Sequence, residues 1–92
     1  MSQVTVRLPT ALQPFADGAK EIQVTAATVA EALAAADGGR GRLMTHVLSP
    51  DGDPRPLVKL FLGEADIRSL DGLDSRVSDG DVIMIVAAVA GG

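Results

Sequence analysis

Thr28-Val29-Ala30-Glu31-Ala32-Leu33-Ala34-Ala35-Ala36-Asp37-Gly38-Gly39 decides how this chain folds. A threonine followed three residues later by a glutamate marks a helix start. The Thr28 hydroxyl is placed to accept from the Glu31 amide, and the Glu31 carboxylate to reach back to the Thr28 amide. Val29, Ala32, Leu33 and Ala36 recur at helical spacing and make a narrow apolar stripe. Asp37-Gly38-Gly39 stops the helix, with glycine available for a left-handed cap. At about two and a half turns it is too short to persist alone. It must lie on a sheet.

Strands on either side supply that sheet. Upstream, Val4, Val6 and Leu8 alternate with Thr5 and Arg7, the period of a half-buried strand. Pro9 ends it, Leu12 and Phe15 return to the core from the connection, and Asp17-Gly18 is a turn signal. Ile22 and Val24 then alternate with Glu21, Gln23 and Thr25, which predicts a second strand antiparallel to the first. Downstream, the stretch from Arg40 to His46 suggests a second short helix through Leu43 and Met44. Ser49-Pro50-Asp51-Gly52-Asp53-Pro54 is dense in turn formers and reads as an exposed loop.

Leu57 to Leu62 forms a third strand, with Val58, Leu60 and Leu62 on one face and Lys59 and Phe61 on the other. Gly63-Glu64-Ala65-Asp66 turns the chain. Ile67 and Leu70 return to the core, and Leu73 and Val77 belong to a short irregular segment. Asp79-Gly80 leads into the last strand, Val82 to Val86. Its inward face is Ile83 and Ile85, which leaves Val82, Met84 and Val86 on the other. Two strands, a helix and further strands in a single small domain predict an α+β fold, a mixed sheet packed on one main helix. The domain covers residues 1–86, and residues 87–92 are expected to form a flexible C-terminal tail.

Composition narrows the chemistry. Nearly half of the 92 residues are apolar, enough for one folded core. Phe15 and Phe61 are the only aromatic residues, so aliphatic side chains must fill that core. A formal charge of -4 with scattered cations argues against nucleic acid as a partner. Val82 to Ala90, the longest apolar run, is far too short for a membrane span, and nothing resembles a signal peptide. Without cysteine there is no disulfide, zinc-thiolate site or thiol nucleophile, which fits cytoplasmic residence.

No set of residues reads as an enzyme's active site. His46, the single histidine, sits beside a loop and is expected in solvent; one imidazole without cysteine does not build a conventional zinc site. The serines lack the partners of a hydrolytic triad. Asp51-Gly52-Asp53 and Asp79-Gly80-Asp81 lack the further ligands of a calcium loop and read as turns. Gly38-Gly39-Arg40-Gly41-Arg42 lacks the Lys-Ser/Thr of a phosphate-binding loop and follows a helix instead of a strand. No metal and no bound cofactor are expected.

Two other features call for a function. The chain continues past its last strand as Ala87-Ala88-Val89-Ala90-Gly91-Gly92, which places a carboxylate on two residues without side chains. Glycine there enters a slot too narrow for any side chain, at a cost in conformational entropy. Phe61, Met84 and Val86, facing away from the helix on neighbouring strands, would form an apolar docking surface.

Ser78-Asp79-Gly80-Asp81, a strand, and then Ala88-Val89-Ala90-Gly91-Gly92 together resemble the ubiquitin-like sulfur carriers of the ThiS/MoaD group. Element order, size and the turn Gly63-Glu64-Ala65-Asp66-Ile67-Arg68 extend the resemblance over essentially the whole chain. Leu8-Pro9-Thr10-Ala11-Leu12 and the ending Ala-Val-Ala-Gly-Gly look most like the CysO-type carriers of a cysteine-biosynthesis route. Ala87 departs from the group, which often has proline there, and implies a more mobile tail.

The resemblance implies a β-grasp fold and a protein that is a substrate, not a catalyst. An E1-like adenylating enzyme of the ThiF/MoeB type would use ATP to activate the Gly92 carboxylate. A sulfur donor enzyme would convert it to a thiocarboxylate, for delivery to a sulfur-accepting biosynthetic enzyme. In that scheme Gly91 gives access, Val89 and Ala90 line the partner's tunnel, and Phe61, Met84 and Val86 dock the folded body. A molybdopterin synthase small subunit or a thiamine sulfur carrier would share this mechanism. A protein modifier joining Gly92 to lysines, and an interaction module with an incidental Gly-Gly end, are the readings from other classes.

Overall fold

The structure is a computed structural model and describes residues 1–87. Val89, Ala90, Gly91 and Gly92, the residues expected to carry and guide the reactive end, lie outside the described residues, as does most of the predicted tail. Strand β1 (Ser2–Arg7) pairs antiparallel with β2 (Glu21–Ala26), Val4 opposite Val24 and Val6 opposite Ile22. Their connection is a 3₁₀ turn, Thr10–Ala16, closed by Asp17 in the left-handed region at φ 56°. It buries Leu12 and half-buries Phe15, the two core contacts expected of it.

Helix α1 (Val29–Asp37) is followed by the short helix α2 (Met44–Val47), strands β3 (Val58–Leu62) and β4 (Ala65–Asp66), and finally β5 (Val82–Ala87). The five strands lie in the order β2-β1-β5-β3-β4. β5 runs parallel to β1 and antiparallel to β3, so the first and last strands meet in the middle of a mixed sheet. This is the α+β architecture the sequence predicts. The last strand extends one residue past Val86, with Ala87 opposite Val58, so the folded body reaches beyond the expected boundary at 86.

α1 starts as its sequence requires, with one change of partner. The Thr28 hydroxyl accepts from the Glu31 amide at 3.2 Å. The Glu31 carboxylate accepts at 3.0 Å from the amide of Ala27, one residue before the expected donor. Thr28 itself is extended at φ -133° and forms an isolated antiparallel bridge with Arg76. Gly38 closes the helix at φ 66°, and its amide donates to Ala34 and Ala35 carbonyls.

The inner faces of the strands and the stripe of α1 make one core. Val6, Val29, Ala32, Leu33 and Ile83 are fully enclosed, with Leu60 and Ile85 almost so. Each enclosed Val, Leu or Ile side chain contributes on the order of 2 kcal/mol by leaving water. Ser75 is buried as well, and its carbonyl accepts from Val29 N–H, tying the segment before β5 to the start of α1.

Asp37 is the second buried polar residue. Its Oδ1 accepts from the amides of Leu43 and Met44, and its Oδ2 from Gly41. Burial pushes the carboxyl up, but these three amides and the nearby Arg40 outweigh that and hold it below its ordinary value. One side chain thereby fixes the whole path from α1 to α2.

Three local expectations fail. Leu70 is 47% exposed, because the 3₁₀ turn Ile67–Ser69 already fills the space with Ile67. Leu57 stands outside the strand and is exposed. Ala65 and Asp66 are not only a turn: they pair with Leu62 and Phe61 as an edge strand, with Gly63 and Glu64 left to reverse the chain.

Candidate functional site

On the open face of the sheet the pairing brings five side chains into a row. Arg7 is opposite Glu21 on one side and Met84 on the other; Met84 is opposite Phe61, and Phe61 is opposite Asp66. Alternation along each strand puts all five on the side away from α1. Val86 lies two residues beyond Met84, beside Lys59. The structure therefore brings Phe61, Met84 and Val86 together on one surface.

Their exposure differs. Met84 is 38% and Val86 40% accessible, while Phe61 is half-buried. Ion pairs flank the apolar centre. Arg7 Nε is 3.1 Å from Glu21, and Arg68 Nη2 is 2.9 Å from Asp66. The Arg68 side chain donates to Asp66 and holds its carboxyl below the ordinary value, so this rim stays charged. An apolar centre within a polar rim is the usual anatomy of a protein-binding patch. Met suits such a patch because its unbranched thioether side chain adapts to different partners.

Arg7 was not among the residues singled out from the sequence. Its place beside Met84 depends on the parallel pairing of β1 with β5, across most of the chain's length, which no local pattern encodes. That pairing stops at Arg7 and Met84. Beyond it, Leu8 N–H donates to Lys20 O, and Pro9 has no N–H to offer. A shallow groove lined by Arg7, Leu8, Pro9, Met84, Val86 and Ala87 opens there, at the root of the C-terminal segment.

The other candidate groups serve the fold. Asp79 Oδ1 accepts from Gln3 N–H and Asp81 Oδ2 from Ser78 N–H, while Asp51 is held by the Ser49 hydroxyl. Both aspartate-glycine-aspartate stretches are turns. His46 is exposed, its ring stacked on Phe15 with centroids 3.8 Å apart. Among the described residues no cluster of His, Cys, Asp or Glu could hold a metal ion, and no helix is long and apolar enough to cross a membrane.

A mixed five-stranded sheet holding one main helix, with parallel first and last strands at its centre, is a β-grasp domain of the ubiquitin-like type. The ThiS family model matches residues 6–92, and the chain belongs to that family. It is 29% identical over 91 residues to the sulfur carrier protein CysO of Mycobacterium tuberculosis, covering 97% of this chain and 98% of that one. A putative sulfur carrier protein of Archaeoglobus fulgidus is 32% identical over 89 residues, with the same coverage. A chain in the crystal structure of the Amycolatopsis orientalis BexX/CysO complex superposes with a TM-score of 0.87 at 29% identity, covering 97% of this chain and 99% of that one.

Proposed function

We propose that this protein is a sulfur carrier whose reactive group is the Gly92 carboxylate. One observation carries the reading: the ThiS family match runs from residue 6 to the terminal Gly-Gly, over the folded body and the end group together. A chain with no cysteine has no thiol on which to hold sulfur, which leaves the terminal carboxyl as the natural place for it. The names of its relatives from Mycobacterium and Archaeoglobus, both sulfur carrier proteins, point the same way.

The chemistry needs activation, because a carboxylate is a poor electrophile. An E1-like adenylating partner joins Gly92 to the α-phosphate of ATP and releases pyrophosphate. Hydrosulfide released by a sulfur donor then attacks the acyl carbon of the mixed anhydride, its proton goes to solvent, AMP leaves with the bonding pair, and a thiocarboxylate remains. Its polarisable sulfur attacks an activated substrate held by a biosynthetic enzyme, for cysteine or another sulfur-containing metabolite. Gly91, Ala90 and Val89 thread into each partner. The body docks through Phe61, Met84 and Val86, whose shared surface with its charged rim supports that role.

Intact-mass spectrometry of the protein isolated from its own cells tests this directly. A species heavier by one sulfur-for-oxygen exchange is expected, and deletion of Gly91-Gly92 removes it. Adducts of this chain on lysines of other proteins, with no such species, would replace carriage by protein modification.

A further inference from the structure

The two edges of the sheet are not alike. β4, only two residues long, blunts one of them. β2 forms the other over six residues, Glu21–Ala26, with no proline, no bulge and an unbroken register against β1. Ile22, Val24 and Thr25 are residues that favour strands. The charge that commonly guards such an edge is reduced here to Glu21, which Arg7 already pairs at 3.1 Å.

The ladder decides which backbone groups reach that edge. Leu8 N–H donates to Lys20 O, while Thr5 N–H donates to Asp81 O on the other side of β1. Antiparallel pairs alternate between bonded and non-bonded, so Ile22, Val24 and Ala26 turn their amides and carbonyls toward β1. Glu21, Gln23 and Thr25 turn theirs outward, where they meet no partner among the described residues. The flanking residues are closed. The Ala19 amide donates to Ala16 O, the Ala27 amide to the Glu31 carboxylate, and Ala27 O accepts from Val77 N–H.

We propose that β2 pairs antiparallel with β2 of a second copy of this chain, about a two-fold axis between their Gln23 residues. Gln23 then faces Gln23 of the other copy, Glu21 faces Thr25, and every outward amide meets an outward carbonyl. Neighbouring registers do not achieve this. An axis at Ile22 sets Thr25 against Ala19, and one at Val24 sets Glu21 against Ala27, where the amides are already used.

The side chains favour the same register. Ile22 comes opposite Val24 on the helix side of the sheet, and no charge stands opposite a like one. Lys20 of one copy comes opposite Ala26 of the other, on the side where Glu31 accepts from the Ala27 amide. A strand that matches itself in backbone groups, apolar pairs and charge has the self-complementarity of a two-fold interface. β5 lies two strands in from β2, so the Phe61–Met84 face and the end of β5 stay open in both copies. One strand pair is a small interface, so the association is weak and concentration-dependent. It does not depend on what Gly92 carries.

The test is NMR on the ¹⁵N-labelled full chain from about 0.05 to about 2 mM, the range a small and transient interface calls for. At about 0.15 M salt, repulsion between two copies of charge -4 is screened beyond about 8 Å. The rotational correlation time is expected to rise with concentration, with amide shifts centred on Glu21, Gln23 and Thr25. In a mixture of isotope-labelled and unlabelled chains, the Ile22 Hα is expected to contact the Val24 Hα of the other copy. Gln23 is exposed, so Gln23→Lys keeps a native spectrum while setting two cations face to face. It is expected to weaken self-association by at least about fivefold. Should that variant fail to fold, the Ile22–Val24 contact in the wild type decides alone. A correlation time indifferent to concentration, contacts between copies at Phe61 or β4 in place of Ile22–Val24, or a folded Gln23→Lys that associates as before would each overturn the proposal.

Discussion

Phe61 and Met84 face each other across the β3–β5 ladder on the open side of the sheet, while their neighbours Leu60 and Ile85 face each other inside the core. A single pairing register thus sets both the packing and the proposed docking surface. The two are separable by substitution, because alternate residues of one strand do different work.

Met84→Asp places a charge at the centre of the exposed row without touching the core. Thermal stability is expected to stay within about 0.5 kcal/mol of wild type. Binding to the proposed adenylating partner, read by calorimetry, is expected to weaken by at least about tenfold. Unaltered affinity would move the docking surface elsewhere.

Ile83→Ala, one residue away, reverses that pattern. Ile83 is fully enclosed, and truncating such a side chain costs about 2–5 kcal/mol. Urea unfolding checks it, and a loss below 1 kcal/mol would contradict the packing.

Asp37→Ala strips three amides of their acceptor. A loss of about 2–3 kcal/mol is expected, or roughly 10 °C or more in melting temperature for a domain of this size. The pH dependence has a definite sign. The folded carboxyl binds its proton less tightly than the unfolded one, so its contribution is present above the ordinary carboxylate range and fades as pH falls through its folded value. The stability gap between wild type and variant, measured by urea unfolding from pH 7 downward, is therefore expected to narrow in acid. A gap that stays constant would remove the ionised carboxylate from the explanation.

Thr28→Ala removes the hydroxyl that accepts from Glu31 and is expected to cost about 1 kcal/mol. Amide exchange in the first turn of α1 accelerates if the cap is what holds it. Unchanged protection there would assign the helix start to its packing on the sheet.

What the sequence made legible was whatever repeats within a few residues. The alternation of Val4, Val6 and Leu8, the α1 stripe and the turn at Asp79-Gly80 each carry their own signal. Phe61, Met84 and Val86 fell on one surface because period-two alternation holds in both strands. Leu70 misled because hydrophobicity alone does not say that Ile67 has already taken the space. Asp37 read only as a helix stop, since its role depends on amides four to seven residues onward in a loop with no periodicity. Arg7 carried no local signal at all. Its place beside Met84 arises from strand order.

The middle of the sheet is made by its first and last strands, β1 and β5, with β3 closing against β5. A ribosome therefore delivers β5 after every other strand of the sheet, and until then β1 has no neighbour on that side. A product cut short before Val82 lacks the strand that joins the two halves of the sheet. The β1–β2 hairpin and the β3–β4 pair therefore become one sheet only when β5 is in place between them.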